Sequence, residues 1–104
     1  MSSPSSKGDT ISVETETFDL DEVLRALAHL DRRRFVVACR GEAQAAGDLA
    51  ELSQLSLATV SEHLKVLRKS GLLILDKRGR FWFYTTNAAV LQRAEAALRE
   101  LSEG

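Results

Sequence analysis

The stretch Ser56-Leu57-Ala58-Thr59-Val60-Ser61-Glu62-His63-Leu64-Lys65-Val66-Leu67-Arg68-Lys69-Ser70-Gly71 decides how the rest of the chain is read. Its apolar residues recur with a helical period, so a helix is expected from Leu57 to about Ser70, with Leu57, Val60, Leu64 and Leu67 as its buried stripe. Ser56 is a good N-cap, and Gly71 ends the helix in the usual way. The face expected to remain outside carries Ala58, Thr59, Ser61, Glu62, His63 and Lys65. A helix about ten residues long fits a DNA major groove roughly 12 Å wide if its outward side chains are small or hydrogen-bonding. The small residues at its start permit close approach to base edges, Thr59 and Ser61 can bond bases or phosphates, and His63 and Lys65 reach further.

Working outward, residues Gly47 to Leu52 read as a short helix and Ser53-Gln54-Leu55-Ser56 as a tight turn, which makes a helix-turn-helix. On the other side, Leu72 to Asp76 reads as a strand, Lys77-Arg78-Gly79-Arg80 as a polar tip and Phe81 to Thr86 as an aromatic return strand. Half of Phe81, Trp82, Phe83 and Tyr84 should then face inward. Near the start, Leu20, Val23, Leu24 and Leu27 lie one helical repeat apart, and a second helix is expected from Asp31 to near Gly41. Asn87 to about Leu101 closes the chain as a helix with Val90, Leu91, Ala94, Ala97, Leu98 and Leu101 on one face. The expected fold is mainly α with a β-hairpin wing: a winged helix-turn-helix of about five helices. It occupies residues 18–104, behind a Ser/Thr-rich, net acidic tail over 1–17 that is expected to be disordered or loosely docked.

The 104 residues suit one domain, small enough that dimerisation would aid stability. The apolar stripes of the first and last helices exceed what so small a core has room for, so Leu20, Val23, Leu24 and Leu27 with Val90, Leu91, Ala94, Leu98 and Leu101 are the expected homodimer interface. No apolar run approaches the ~18–20 residues of a membrane span, and no apolar stretch at the N-terminus resembles a signal peptide, which predicts a cytoplasmic protein without a membrane partner. The 14 basic and 15 acidic side chains nearly cancel, but they are segregated. Between Ser56 and Arg80, Lys65, Arg68, Lys69, Lys77, Arg78 and Arg80 face only Glu62 and Asp76, a local excess of four positive charges. Such a patch supplies the salt-dependent, sequence-independent part of affinity for double-stranded DNA. No nucleophile–base arrangement, phosphate loop or metal-ligand set is visible, so neither an enzyme nor a bound cofactor is expected.

Three runs carry a family resemblance: Leu24-Arg25-Ala26-Leu27-Ala28-His29-Leu30-Asp31-Arg32-Arg33-Arg34-Phe35, Asp48 to Ser56, and above all Thr59 to Leu73. Together they resemble the ArsR/SmtB family of bacterial winged-helix repressors over about Leu20 to Leu101. The resemblance implies a homodimer, paired mainly through its first and last helices, that represses by occupying an imperfect palindrome over a promoter. It sets Ala58, Thr59, Ser61, Glu62, His63 and Lys65 on the DNA-reading face and Arg78 and Arg80 at the wing tip.

The chain departs from that family in its sensing motifs. Residues Glu42 to Leu49 contain no thiol, and Val90 to Leu101 contains no histidine, aspartate or cysteine. Cys39, His29 and His63 are too few and too scattered in sequence to supply a soft-metal site from one chain, so no metal is expected. Leu30 stands where many relatives open the second helix with proline. Cys39 reads first as a small buried hydrophobe and second as a redox sensor. His29 reads as ending the first helix, its imidazole near free carbonyls. The run Arg32-Arg33-Arg34 reads as a solvated, salt-bridging helix start, with one arginine against the DNA backbone. For the effector, constitutive repression, an unknown small organic ligand in the dimer interface, and oxidation of Cys39 all stay open. A winged-helix protein-interaction module or anti-repressor without its own DNA site is the competing reading, because fold alone does not settle function.

Overall fold

A computed structural model describes residues 18–103; the tail expected over residues 1–17 lies outside them. The order of elements is α1 (Leu20–Leu27), α2 (Leu30–Gly41), α3 (Ala46–Ser53), α4 (Leu57–Lys69), β1 (Leu73–Arg78), β2 (Phe81–Thr86) and α5 (Ala88–Ser102). Five helices and one antiparallel hairpin are thus present among the described residues, the architecture expected from the sequence. None of these helices is long and apolar enough to cross a membrane.

Each helix start is capped by the residue before it or by a side chain in its first turn. Asp19 Oδ1 accepts from the Glu22 amide at 3.2 Å, and Asn87 Oδ1 accepts from the Ala89 and Val90 amides. At α3 the cap residue is Ala45, which has no side-chain acceptor. Asp48 reaches back instead, accepting the Ala45 amide at 3.0 Å. The turn from α3 to α4 closes on Gln54, whose φ of 65° is the left-handed conformation, while Ser53 Oγ donates to Leu49 O and accepts from the Leu55 amide. Ser56 caps α4 as expected, its Oγ accepting from the Thr59 amide at 3.1 Å.

The C-terminus of α4 is a Schellman motif. The Gly71 amide donates to Arg68 O and the Leu72 amide to Leu67 O, both at 3.0 Å, with Gly71 at φ 87°. Leu67 and Leu72 are both fully buried, which supplies the apolar contact that accompanies this motif. The core collects Val23 and Ala26 from α1, Phe35, Val36 and Cys39 from α2, Leu49 from α3, Val60, Leu64 and Leu67 from α4, and Leu72, Leu73, Tyr84 and Ala94 beyond them.

The hairpin is tighter than the expected four-residue tip. Arg78 pairs with Phe81, leaving Gly79 and Arg80 as a two-residue turn. Gly79 has φ 65° and Arg80 does not, the pattern of a type II′ turn, whose twist suits paired strands. Lys77 and Arg78 are therefore strand residues. The sheet also reaches back to Gln44, which exchanges both backbone hydrogen bonds with Tyr84, at 3.0 and 2.8 Å. That bridge between the α2–α3 connection and the wing has no sequence signature.

Several sequence expectations shift in the structure. Leu57 is 56% exposed, and His63 takes its place in the stripe with Val60, Leu64 and Leu67. Of the residues expected at a dimer seam, Val23 and Ala94 are buried within the protomer, so they belong to its own core. Leu20, Leu27, Val90 and Leu91 are half-buried against that core. Leu24, Leu98 and Leu101 remain in water, Leu101 at 76% exposure. One side of each stripe is used inside the protomer and the other is left over.

Two glycines should respond oppositely to alanine. A Cβ at Gly71 would meet Val90 Cγ2 at 3.4 Å with a positive φ, whereas one at Gly47, in the first turn of α3, meets nothing within 4 Å. Urea denaturation should show Gly71→Ala losing about 1–2 kcal/mol and Gly47→Ala gaining about 0.5 kcal/mol.

Candidate nucleic-acid interface

The outward surface of α4 is built by subtraction. With Val60, His63, Leu64 and Leu67 turned inward, Ala58, Thr59, Ser61, Glu62, Lys65, Arg68 and Lys69 are left exposed. Ser56 and Thr59 are tied together at the entrance: the Ser56 hydroxyl donates to Thr59 Oγ1 at 3.0 Å, which orients both at the helix start. Among the described residues α4 is touched by α3, α1, α2 and β1, so it is held on one side and open on the other.

The wing extends the basic surface. Lys77, Arg78 and Arg80 are exposed, with Lys77 Nζ 4.6 Å from the Trp82 ring centroid and the Arg78 guanidinium 5.0 Å from that of Phe83. Arg78 Nε also donates to Asp76 Oδ2 at 2.9 Å. Cation–π contacts of this kind stiffen long basic side chains while leaving their charge facing water. Aromatic residues on β2 therefore serve the basic ones: Phe81 and Trp82 are exposed, Tyr84 is buried, and the inward turn of half the strand holds only at its far end.

His63 corrects the sequence expectation of a DNA-facing side chain. It is 8% exposed, its ring lies edge-on to Phe35 with centroids 6.1 Å apart, and its Nδ1 accepts from Arg32 Nε at 3.2 Å. The residue sits at i+3 from Val60 and i−4 from Leu67, so the helical period alone would have assigned it inward. His29 also differs from expectation. Its Nδ1 accepts from the Asp31 amide at 3.2 Å, so it caps the start of α2 rather than meeting carbonyls at the end of α1. Those carbonyls are taken by the arginine run: Arg33 donates to Leu27 O at 2.6 Å and Arg32 to Arg25 O at 3.4 Å, while Arg34 pairs with Asp31. Leu30 occupies the first position of α2, where a proline would also fit.

The two histidines are not scattered in space. Their ring centroids are 4.4 Å apart, and His29, Asp31 and His63 each offer a donor atom within 4.8 Å of the others. Two imidazoles and a carboxylate are a reasonable donor set for a borderline cation. The hydrogen bonding works against that use. Both Nδ1 atoms already accept from N–H donors, whereas a ligating histidine normally donates from its second nitrogen. A cation would also sit beside the Arg32 guanidinium.

A helix presented beside a basic antiparallel hairpin, behind a tight inter-helix turn, is the arrangement of a winged helix-turn-helix protein. Residues 23–76 match the model of a helix-turn-helix domain family. Over 73 residues the chain is 30% identical to the transcriptional repressor SdpR of Bacillus subtilis (strain 168), spanning 70% of this chain and 81% of that protein. An ArsR-like transcriptional regulator from Rhodococcus sp. RHA1 has the same fold at a TM-score of 0.74 and 26% identity, with 81% of this chain and 79% of that one covered. A homodimeric winged helix-turn-helix DNA-binding domain from Mycobacterium bovis matches at a TM-score of 0.66 and 19% identity, covering 99% of this chain and 91% of that one. The chain belongs to the ArsR family of winged helix-turn-helix transcriptional regulators.

Cys39 is 2% exposed, and burial pushes its thiol up to about 11. Thiolate is the reactive form, so this favours the inert reading. With a maleimide at pH 7.5, the native thiol should react at least about a hundredfold more slowly than in urea. Equal rates in the two states would restore Cys39 as a sensor candidate.

Proposed function

We propose that this regulator is a repressor that acts as a homodimer, paired through α1 and α5, on an imperfect palindrome in duplex DNA. The carrying observation is that α4 keeps Ala58, Ser61, Glu62 and Lys65 exposed beside a wing whose Lys77, Arg78 and Arg80 are also exposed. In this reading Ser56, Ala58, Thr59, Ser61, Glu62 and Lys65 read base edges or fix the helix at the groove. Arg68, Lys69 and the wing residues hold phosphates, which position the protein without specifying sequence. The repressor name of the Bacillus subtilis relative supports the sign of the effect.

The dimer rests on Leu24, Leu98 and Leu101, large apolar residues left in water on two helices that pack together. Full burial of an exposed leucine is worth about 1.5–3 kcal/mol, and covering these three gains the share of it that each still exposes, most at Leu101. A two-fold axis through them would set two copies of α4 about 34 Å apart along the duplex. Sedimentation should show a dimer, and Leu98→Asp should raise its dissociation constant at least about tenfold.

Fluorescence anisotropy with duplexes from the region upstream of the gene tests DNA recognition. Arg80→Ala should weaken all duplexes alike and reduce the salt slope by about one. Ser61→Ala should instead change the ranking of duplexes. Binding by a folded dimer no tighter than to random duplex would overturn the reading and leave a protein-interaction module.

A further inference from the structure

Beneath the exposed face of α4 lies a polar contact that DNA reading does not itself require. His63 is the one polar side chain in the inward stripe of that helix. It receives a hydrogen bond from Arg32 Nε, stacks at a tilt on His29 and meets the edge of Phe35. Arg32 is in turn anchored to α1 through Arg25 O, and His29 is fixed by capping α2. The helix proposed to enter the groove is thus pinned at mid-length to the α1–α2 corner by a directional bond. Its other buried partners, Val60, Leu64 and Leu67, contribute non-directional apolar burial.

We infer that His63 is a positioning residue for DNA recognition, whose neutral imidazole, held by Arg32, sets the rotation of α4 against the body of the protein. The inference rests on α4 being the DNA-reading helix. Protonation would convert the accepting Nδ1 into a donor facing the Arg32 N–H and add a cation beside a cation. The groups acting on the ring, among the described residues, are His29 from the α1–α2 connection and Asp31 and Arg32 from α2. Burial, then the charges of His29 and Arg32, hold its pKa below the ordinary histidine value, against a smaller upward pull from Asp31. The folded protein therefore keeps the ring neutral at pH 7. The stability contributed by the neutral ring is fully present above the unfolded pKa of about 6.5 and is lost, with the bond, as pH falls through the lower folded value.

The experiment compares DNA affinity of the full chain across pH and across variants. His63→Leu preserves apolar bulk but leaves Arg32 Nε without its acceptor, and should weaken binding at pH 7.5 about tenfold or more. His63→Asn keeps an acceptor near the Nδ1 position and should recover most of that loss. For the unaltered protein, affinity should be flat above pH 7 and fall below pH 6.5, a fall that His63→Asn should not show. The sign is diagnostic, because general acidification makes the protein more positive and would tighten binding to phosphates. A packing role predicts the reverse ranking, Leu at or above Asn, with any low-pH fall of the unaltered protein retained in both variants, and that result overturns the inference. Should His63→Leu fail to fold by circular dichroism, Arg32→Met removes the guanidinium and its hydrogen bond to His63 Nδ1 without supplying another donor, and must show the same loss at pH 7.5. If the unaltered protein binds no duplex specifically at pH 7.5, the DNA-reading proposal fails first. If it binds specifically and the His63 and Arg32 variants behave like the unaltered protein, this inference alone fails.

Discussion

A thirteen-residue helix must be gripped firmly on one side while its other side stays bare, and the rest of the molecule follows from that constraint on α4. Four inward residues make the grip. Three are aliphatic and supply burial, which holds the helix down but is tolerant of sliding and rotation. The fourth, His63, contributes a bond with a direction. Its partner Arg32 comes from a different helix and is itself anchored to a third, so α4 is referenced to two other helices at one point. If α4 enters a groove as proposed, it gains from such a reference, since a rotation of α4 would carry Ser61, Glu62 and Lys65 together.

The same corner explains why an almost neutral protein can carry a basic face. Three arginines at the start of α2 have partners within the protein. Arg32 and Arg33 satisfy carbonyls at the end of α1, where cations are favoured by the helix dipole, and Arg34 leans on Asp31. Arg32 and Arg33 thereby join two helices. The exposed cations of α4 and the wing meet less opposition: Glu62 is on the same surface and Asp76 is engaged by Arg78. Net charge over the whole chain averages two populations with different tasks.

How much of this could be read from the chain alone varies with the range of the interaction. The bounds of β2, the Ser56 cap and the glycine stop of α4 are local chemistry, and they are where the sequence puts them. The hairpin tip was expected to be longer because Lys77 and Arg78 look like turn residues. They are strand residues because Trp82 and Phe83 give their aliphatic stems and charges an aromatic surface. His63 was misassigned by residue type: its polarity suggested a surface although its spacing from Val60 and Leu67 pointed inward. Local pattern could not reveal the partner 31 residues away that makes its burial tolerable. Nor could it reveal Gln44 pairing with Tyr84, a bridge between segments that neither alternate nor repeat.

Leu72 links α4 to the rest of the protein. Its amide closes the end of α4 on Leu67 O, its side chain is fully buried, and its carbonyl accepts from Asn87, the residue that caps α5. Helix α4, the hairpin and α5 therefore meet at one residue, through bonds that admit little independent motion. For a dimer paired through α1 and α5, the separation of its two reading helices would be set by this junction on one side and by the Arg32–His63 bond on the other. A displacement of α5 at such a seam would then bear on α4 through Leu72.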